Sequence, residues 1–333
     1  MDRFVTVART AELWSSPDDR SSGEGRMAAI DIGRAATAGF RLIARKPLAV
    51  LAWAGVLFVV GVLPVAGLAS AFFGAIAEMV HAEAAGQEPS PEAMLPMMSA
   101  VFAMQPILLI AGIAVRAIVT AAVFRAVLEP GQGRWFYLRL GAEELWLALM
   151  IAVIGILLSL LAFPAALVIM PVAMIGAVSA EGDPAAIIAP TLIAVLAFGA
   201  LYAWVLVRFS MALPMTFAQR QFRLFESWTL TRGHTLRLLG VGVVLVAIVL
   251  VLELVVALAF VGISFALHGS GGFDEAAVTA FFAQDASIWM AELAPWAIGV
   301  AVLGALLGAV LSAITIAPWA DAYRQLSGAE PSA

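Results

Sequence analysis

A chain of 333 residues that is 63% hydrophobic and 12% charged, with a mean hydropathy of +1.02, lies outside the range of water-soluble domains and has the bilayer as its solvent. The formal net charge of −5 sums over two compartments and says nothing about partners. Without cysteine there is no disulfide framework, no thiolate nucleophile and no thiolate metal site.

Residues 1–26, with Ser15, Ser16, Pro17, Asp18, Asp19 and the run Ser21 to Gly25, are polar and aperiodic, and are expected to form a disordered tail. The first long apolar run begins near residue 48 and is long enough to span, so no cleavable signal peptide is expected. Met27 is a candidate translation start. It opens an amphipathic stretch, Ile30 to Lys46, whose Ile32, Phe40, Ile43 and basic Arg34, Arg41, Arg45 suit a helix lying in the membrane interface.

Six apolar spans follow inside a membrane domain covering 27–326, at about 48–73, 98–128, 145–175, 185–210, 238–267 and 295–317, before a short tail at 327–333. The third lies in an uncharged run longer than one crossing needs at about 1.5 Å per residue, yet too short for two. Pro164 and Pro171 are expected to kink it.

The basic residues orient these spans. Residues 1–47 hold eight Lys and Arg, 125–144 hold three, 208–237 hold five and the C-terminal tail holds Arg324, whereas 74–99, 175–189 and 268–295 hold none. Cytoplasmic loops retain Lys and Arg. Six crossings with both termini cytoplasmic is the count that puts every basic segment on one side. The expected fold is therefore all-α, a six-span transmembrane helical bundle with amphipathic interfacial helices. An aromatic and basic stretch precedes each odd-numbered span: Phe40 to Lys46, Trp135 to Leu145, and Phe217 to Leu239. This recurrence points to three helical hairpins, although any six-span chain obeying the charge rule looks threefold at this level.

Within the longest of these stretches, Phe222, Leu224, Phe225 and Trp228 can share a broad apolar face before Gly233 interrupts the helix. Arg220, Arg223, Trp228 and Arg232 are thus candidate lipid contacts, in a belt that either binds lipid or a partner or simply anchors the next span.

Two charges interrupt the apolar spans. Arg116 lies about 18 Å and Glu253 about 22 Å from the cytoplasmic ends of their helices, at 1.5 Å per residue. A lone charge at mid-bilayer costs about 2.5–3.5 kcal/mol on the lenient insertion scale, so each should seek a partner. The helical neighbours of Glu253, namely Val249, Leu250, Val256 and Ala257, are aliphatic, which leaves Arg116 as the basic residue at matching depth. Such a pair could gate an ion-coupled path. It could equally fix helix packing, or Glu253 could stay neutral while Arg116 snorkels.

The remaining polar residues offer no catalytic, cofactor or metal signature. His81, His234 and His268 lack ligand spacing. Glu143 and Glu144 point about 100° apart on a helix and suit its N-terminus. Gly131, Gln132 and Gly133 form a turn after Pro130 without the Lys of a phosphate loop. The acidic loop residues Glu78, Glu83, Glu88, Glu92, Asp274, Glu275, Asp285 and Glu292 either bind cations weakly or simply follow the charge rule.

Ala121 to Pro130 (AAVFRAVLEP), Phe136 to Leu145 (FYLRLGAEEL) and Glu226 to His234 (ESWTLTRGH) resemble stretches of bacterial six-helix proteins akin to the membrane domain attached to some glycerophosphoryl diester phosphodiesterases. The resemblance implies an integral membrane domain. No segment is long enough for the catalytic barrel of those enzymes, so no hydrolase activity is carried over. The expected protein is a non-enzymatic module of the bacterial inner membrane, linked to lipid or envelope processes, with membrane lipids and other membrane proteins as partners and no nucleic acid. The alternative is a transporter or channel built on Arg116 and Glu253. An intramembrane lipid enzyme would need a nucleophile and base that the sequence does not offer.

Overall fold

Asp31 starts the first helix: its carboxylate accepts the Arg34 backbone N–H at 2.9 Å, satisfying a donor that the helix end leaves free. The structure is a computed structural model and describes residues 30–61, 74, 95–131, 133–179, 184–268 and 286–328. Helix α1 (Ile32–Ala36) and helix α2 (Ala38–Arg45) meet at Thr37, and α3 (Pro47–Gly61) leaves α2 at 99°. Proline suits that first helical position because its missing N–H would be unpaired there in any case. The expected interfacial helix is therefore two short helices followed by a sharp turn.

The long helices are α4 (Leu95–Leu128), α5 (Ala142–Ser179) and α6 (Pro184–Phe209). The short α7 (Ala212–Gln219) and α8 (Glu226–Leu230) lead to α9 (Thr235–His268) and α10 (Ala286–Ser327). Among the described residues the regular structure is helical, without a strand. Five helices are long and apolar enough to cross a membrane, or six if α2 and α3 count as one bent span. This is a multi-pass, all-helical membrane protein. Part of the predicted first span, 48–73, falls on α3, and the rest lies outside the described residues, as do the predicted tail 1–26, Met27, His81 and most of the acidic loops.

Two local expectations need correction. The stretch from Phe222 to Arg232 is not one amphipathic helix: Arg220 adopts a left-handed φ of 53°, ends α7, and the chain regains helix only at Glu226. In consequence Leu224 is buried while Phe225 is exposed, so the two do not share a face. The last helix also outruns its predicted end near 317. It reaches Ser327, because its final turns pack on α1, and stops at Gly328, whose φ of +64° suits a helix-terminating glycine. Helix α5 runs through Pro164 and Pro171 without a break.

Burial is concentrated at the end of the bundle that carries the basic residues. Trp53, Val119, Val123, Phe124, Leu147, Met150, Met211, Leu238, Ala313 and Ile314 are fully buried there. The far halves of the spans are different: Phe102, Ile110, Phe163, Ile193, Phe260 and Trp296 are all more than 60% exposed. In lipid an exposed apolar side chain carries no hydrophobic penalty, so packing there depends on close fit alone. The helices are thus joined at the basic end and present apolar faces beyond it.

Helix α10 is the hub of that joined end, packing on α1, α2 and α4. The tightest approach is at Gly39, where a β-carbon would lie 2.4 Å from Ile314 Cα and 2.6 Å from the Ala313 carbonyl oxygen. Small residues at such crossings let two backbones touch. Helices α5 and α6 form the hairpin expected of the third and fourth spans, whereas α9 and α10 make less contact with each other than α10 makes with α2 and α4. The three expected hairpins are not equivalent.

Candidate functional site at the basic end

Three polar clusters lie at the basic end, and each is set by local backbone geometry. The first follows α4. Trp135, Phe136 and Tyr137 have φ of 53°, 57° and 65°, three successive non-glycine residues in the left-handed region. Each costs about 1–3 kcal/mol unless its surroundings hold it. Three hydrogen bonds do so: Trp53 Nε1–H donates to the Phe136 carbonyl at 3.1 Å, Arg125 to the Tyr137 carbonyl at 3.0 Å, and the Tyr137 hydroxyl to the Pro130 carbonyl at 3.2 Å. The turn sinks Tyr137 into the core and leaves Trp135 80% exposed.

Arg125, only 2% exposed, is the centre of this cluster. It donates to Glu143 at 2.8 Å and to Glu144, and its guanidinium lies 5.6 Å from the centroid of the Phe217 ring. Glu144 reaches back to accept the Gly141 N–H at 2.8 Å, so the carboxylate that closes the ion pair also caps α5. Glu143 receives Arg220 as well, at 2.9 Å. Arg220, expected to reach headgroups, is thus tied to Glu143 although its side chain stays 68% exposed.

The second cluster joins the two ends of the described chain. Asp321, fully buried, is bound by Arg324, by Gln325 Nε2 at 2.7 Å and by Arg34 at 3.7 Å. The Gln325 side-chain oxygen accepts the Asp31 N–H at 2.7 Å. A buried carboxylate needs such partners, because an unpaired one is expelled or neutralised.

The third cluster lies where α6 ends against α8. The Arg208 guanidinium sits 5.6 Å from the Trp204 ring centroid and 5.3 Å from that of Trp228, and the two indoles meet edge to face at 5.0 Å. Its Nη1 lies 3.4 Å from the Thr231 hydroxyl, its carbonyl accepts the Ser227 hydroxyl at 2.7 Å, and its buried Nε has no hydrogen-bond partner among the described residues. Nearby in sequence, Arg223 donates to Glu226 at 2.8 Å and to the Gln221 side chain at 2.9 Å. The Arg223 guanidinium holds the Glu226 carboxyl below its ordinary value of 4.5. Arg232 is exposed, beside Gly233 at φ +86°.

The structure therefore distributes the expected lipid contacts: Trp228 joins Arg208, Arg220 and Arg223 are paired with carboxylates, and Arg232 is exposed. It does not bring Arg116 and Glu253 together. Both are exposed, and none of the ion pairs among the described residues involves either. Their helices share α10 as a neighbour but otherwise pack differently, α4 on α5 and α9 on α1 and α6. Matching depth along two helices does not place them on facing sides.

Sequence reasoning missed Arg125, Asp321 and Arg208 as polar centres, since all three were counted only in the charge balance. A signal was present for the first and last. The three stretches AAVFRAVLEP, FYLRLGAEEL and ESWTLTRGH supply Arg125, Tyr137, Glu143, Glu144, Ser227, Trp228 and Thr231, the residues that converge here. Chemically, the clusters lock a cationic and aromatic surface to one end of the bundle. Among the described residues no group of three or more His, Asp or Glu could hold a metal ion.

Comparison with curated proteins and with solved structures finds no match. A family model, described as a domain of unknown function (DUF7847), matches residues 30–326, which takes in all three polar clusters. The chain belongs to the family of the domain of unknown function DUF7847.

Proposed function

We propose that this chain is a six-span protein of the bacterial inner membrane, with both termini and its basic end in the cytoplasm. It works there as a non-enzymatic module that engages membrane lipids. The observation that carries this reading is the joined basic end, where a cationic and aromatic surface (Arg208, Arg220, Arg223, Trp204, Trp228, Arg232) is fixed beside helices whose remaining faces are apolar. Aromatic rings favour the headgroup level, and basic residues near an anionic leaflet are attracted to it. The resemblance of the three short stretches to a phosphodiesterase-associated membrane domain supports the same reading.

The test has two parts. Reporter fusions at residues 85, 182 and 280 should read as outside the cytosol. Purified protein should retain anionic over zwitterionic phospholipid, and joint neutralisation of Arg220, Arg223 and Arg232 should weaken that retention roughly tenfold, given about 1 kcal/mol per basic residue near an anionic surface and two of the three already paired. Cytosolic reporters or an unchanged lipid preference would refute the proposal.

A further inference from the structure

We infer that Arg208, held in the corner between Trp204 and Trp228, is a recognition site for the phosphate of an anionic phospholipid. The inference deepens the lipid-binding reading above and rests on it.

The argument begins with how arginines at this end are neutralised. Arg34, Arg125, Arg220, Arg223 and Arg324 each face a carboxylate within 4 Å. Arg208 is half-buried and faces none among the described residues. Among the described residues its one side-chain hydrogen bond is the long contact of Nη1 to Thr231, and its buried Nε has no partner. A guanidinium carries five donors and cannot be deprotonated, so a partly desolvated one needs an anion from somewhere.

The rings decide which direction that anion takes. Two indole faces lie against the guanidinium, at 5.6 and 5.3 Å. With Nε buried and Nη1 already in contact with the Thr231 hydroxyl, the donors left for an anion are those of the outer Nη1–Nη2 edge. Phosphate oxygens fit that edge, since arginine binds phosphate through parallel in-plane hydrogen bonds. The chain fixes the geometry from both sides: Ser227 of α8 bonds the Arg208 carbonyl and Thr231 bonds its side chain.

Position selects the source of the phosphate. Arg208 is the penultimate residue of α6, a helix otherwise free of charge between Ala185 and Val207. It therefore stands where an apolar span emerges, beside Trp204, which is partly exposed. Lipid phosphates occupy that level, and tryptophan is enriched there. A free phosphate ion shares the chemistry but would reach the site from water.

The experiment uses the full chain in nanodiscs of phosphatidylcholine with graded phosphatidylglycerol, with bound lipid measured by native mass spectrometry. Arg208→Gln should weaken phosphatidylglycerol binding roughly tenfold, the effect of losing one charge-assisted contact. Arg208→Lys keeps the charge but not the planar edge and should recover only part of it. Arg237→Gln, which removes an exposed arginine outside the corner, should bind as the wild type does. Trp228→Phe preserves a ring and, with Arg208→Lys, carries the test if Arg208→Gln does not fold.

Inorganic phosphate that displaces phosphatidylglycerol from the wild type but has no effect on Arg208→Gln would confirm the anion site and assign it to a soluble ligand. Wild-type affinity in folded Arg208→Gln, or in both milder variants, overturns the inference. If the preference for phosphatidylglycerol survives the Arg208 variants but vanishes when Arg220, Arg223 and Arg232 are neutralised, the corner falls and the broader reading stands. Absence of any preference in the wild type ends both.

Discussion

Gly39 lies against Ile314 so closely that a β-carbon on the glycine would stand 2.4 Å from the Ile314 α-carbon. The obstacle is backbone on a helix that also packs on α4, so neither side can yield without moving the joined end of the bundle. Gly39→Ala is expected to lower stability by about 1–3 kcal/mol, the usual cost of overpacking. The comparison is Gly242→Ala, where the nearest atom to an added β-carbon is Trp319 at 3.9 Å and removal of a mid-helix glycine should gain about 0.5–1 kcal/mol. Thermal unfolding in detergent should therefore move in opposite directions for the two variants.

Arg125 and Glu144 form the most deeply buried ion pair of the described residues. Removing one partner leaves the other buried and uncompensated, which typically costs about 3–5 kcal/mol. Arg125→Met should be severe for that reason, and also because the Tyr137 carbonyl loses its donor. Adding Glu144→Gln to Arg125→Met should restore part of the loss. A double variant no better than the single one would show that the pair does not act as a unit.

The left-handed turn makes a prediction of opposite character. Trp135 is mostly exposed, so its φ of 53° weighs more than its contacts. Asparagine tolerates this region, whereas a β-branched residue does not. Trp135→Asn should unfold within about 1 kcal/mol of the wild type, and Trp135→Val should lose more than about 1 kcal/mol. Equal losses in the two variants would mean that the side chain, not the backbone, matters at this position.

For Glu226 the expected effect is on pH dependence. Its carboxyl is held below 4.5 chiefly by the hydrogen bond from Arg223. A depressed carboxyl pKa stabilises the fold above the ordinary carboxylate value, and the contribution disappears as pH falls through the lowered one. Because the group is exposed, the effect on stability is small, and titration is the better readout. In ¹³C-detected titrations of the labelled protein, Glu226 should titrate below 4.5 in the wild type and return toward it in Arg223→Gln.

Much of the fold was legible in the sequence because apolar length and charge position act locally. The spans at 98–128, 145–175, 185–210 and 238–267 fall on α4, α5, α6 and α9. The breaks at Arg220 and at Trp135 to Tyr137 were not legible, since neither position carries the glycine that normally announces a left-handed backbone. Helix facing was equally hidden. Arg125 points into the bundle and Arg116 out of it, although both lie on the same helix. Which side of a membrane helix faces protein depends on neighbours that periodicity alone does not name, and α4 shows no marked amphipathic stripe.

That difference in facing governs what Arg116 and Glu253 can do. With no ion pair between them among the described residues, each must meet its desolvation cost separately. Arg116 can do so by extending its chain toward the basic end. Substitutions at independent sites add to within about 0.3–0.5 kcal/mol, whereas a buried pair couples by more. Arg116→Leu and Glu253→Gln should accordingly be additive in unfolding experiments, and each variant alone should be neutral or stabilising, because a charge is removed from an apolar span. A coupling energy well above 0.5 kcal/mol would mean that the two charges meet in the membrane after all, and would reopen the gated-path reading.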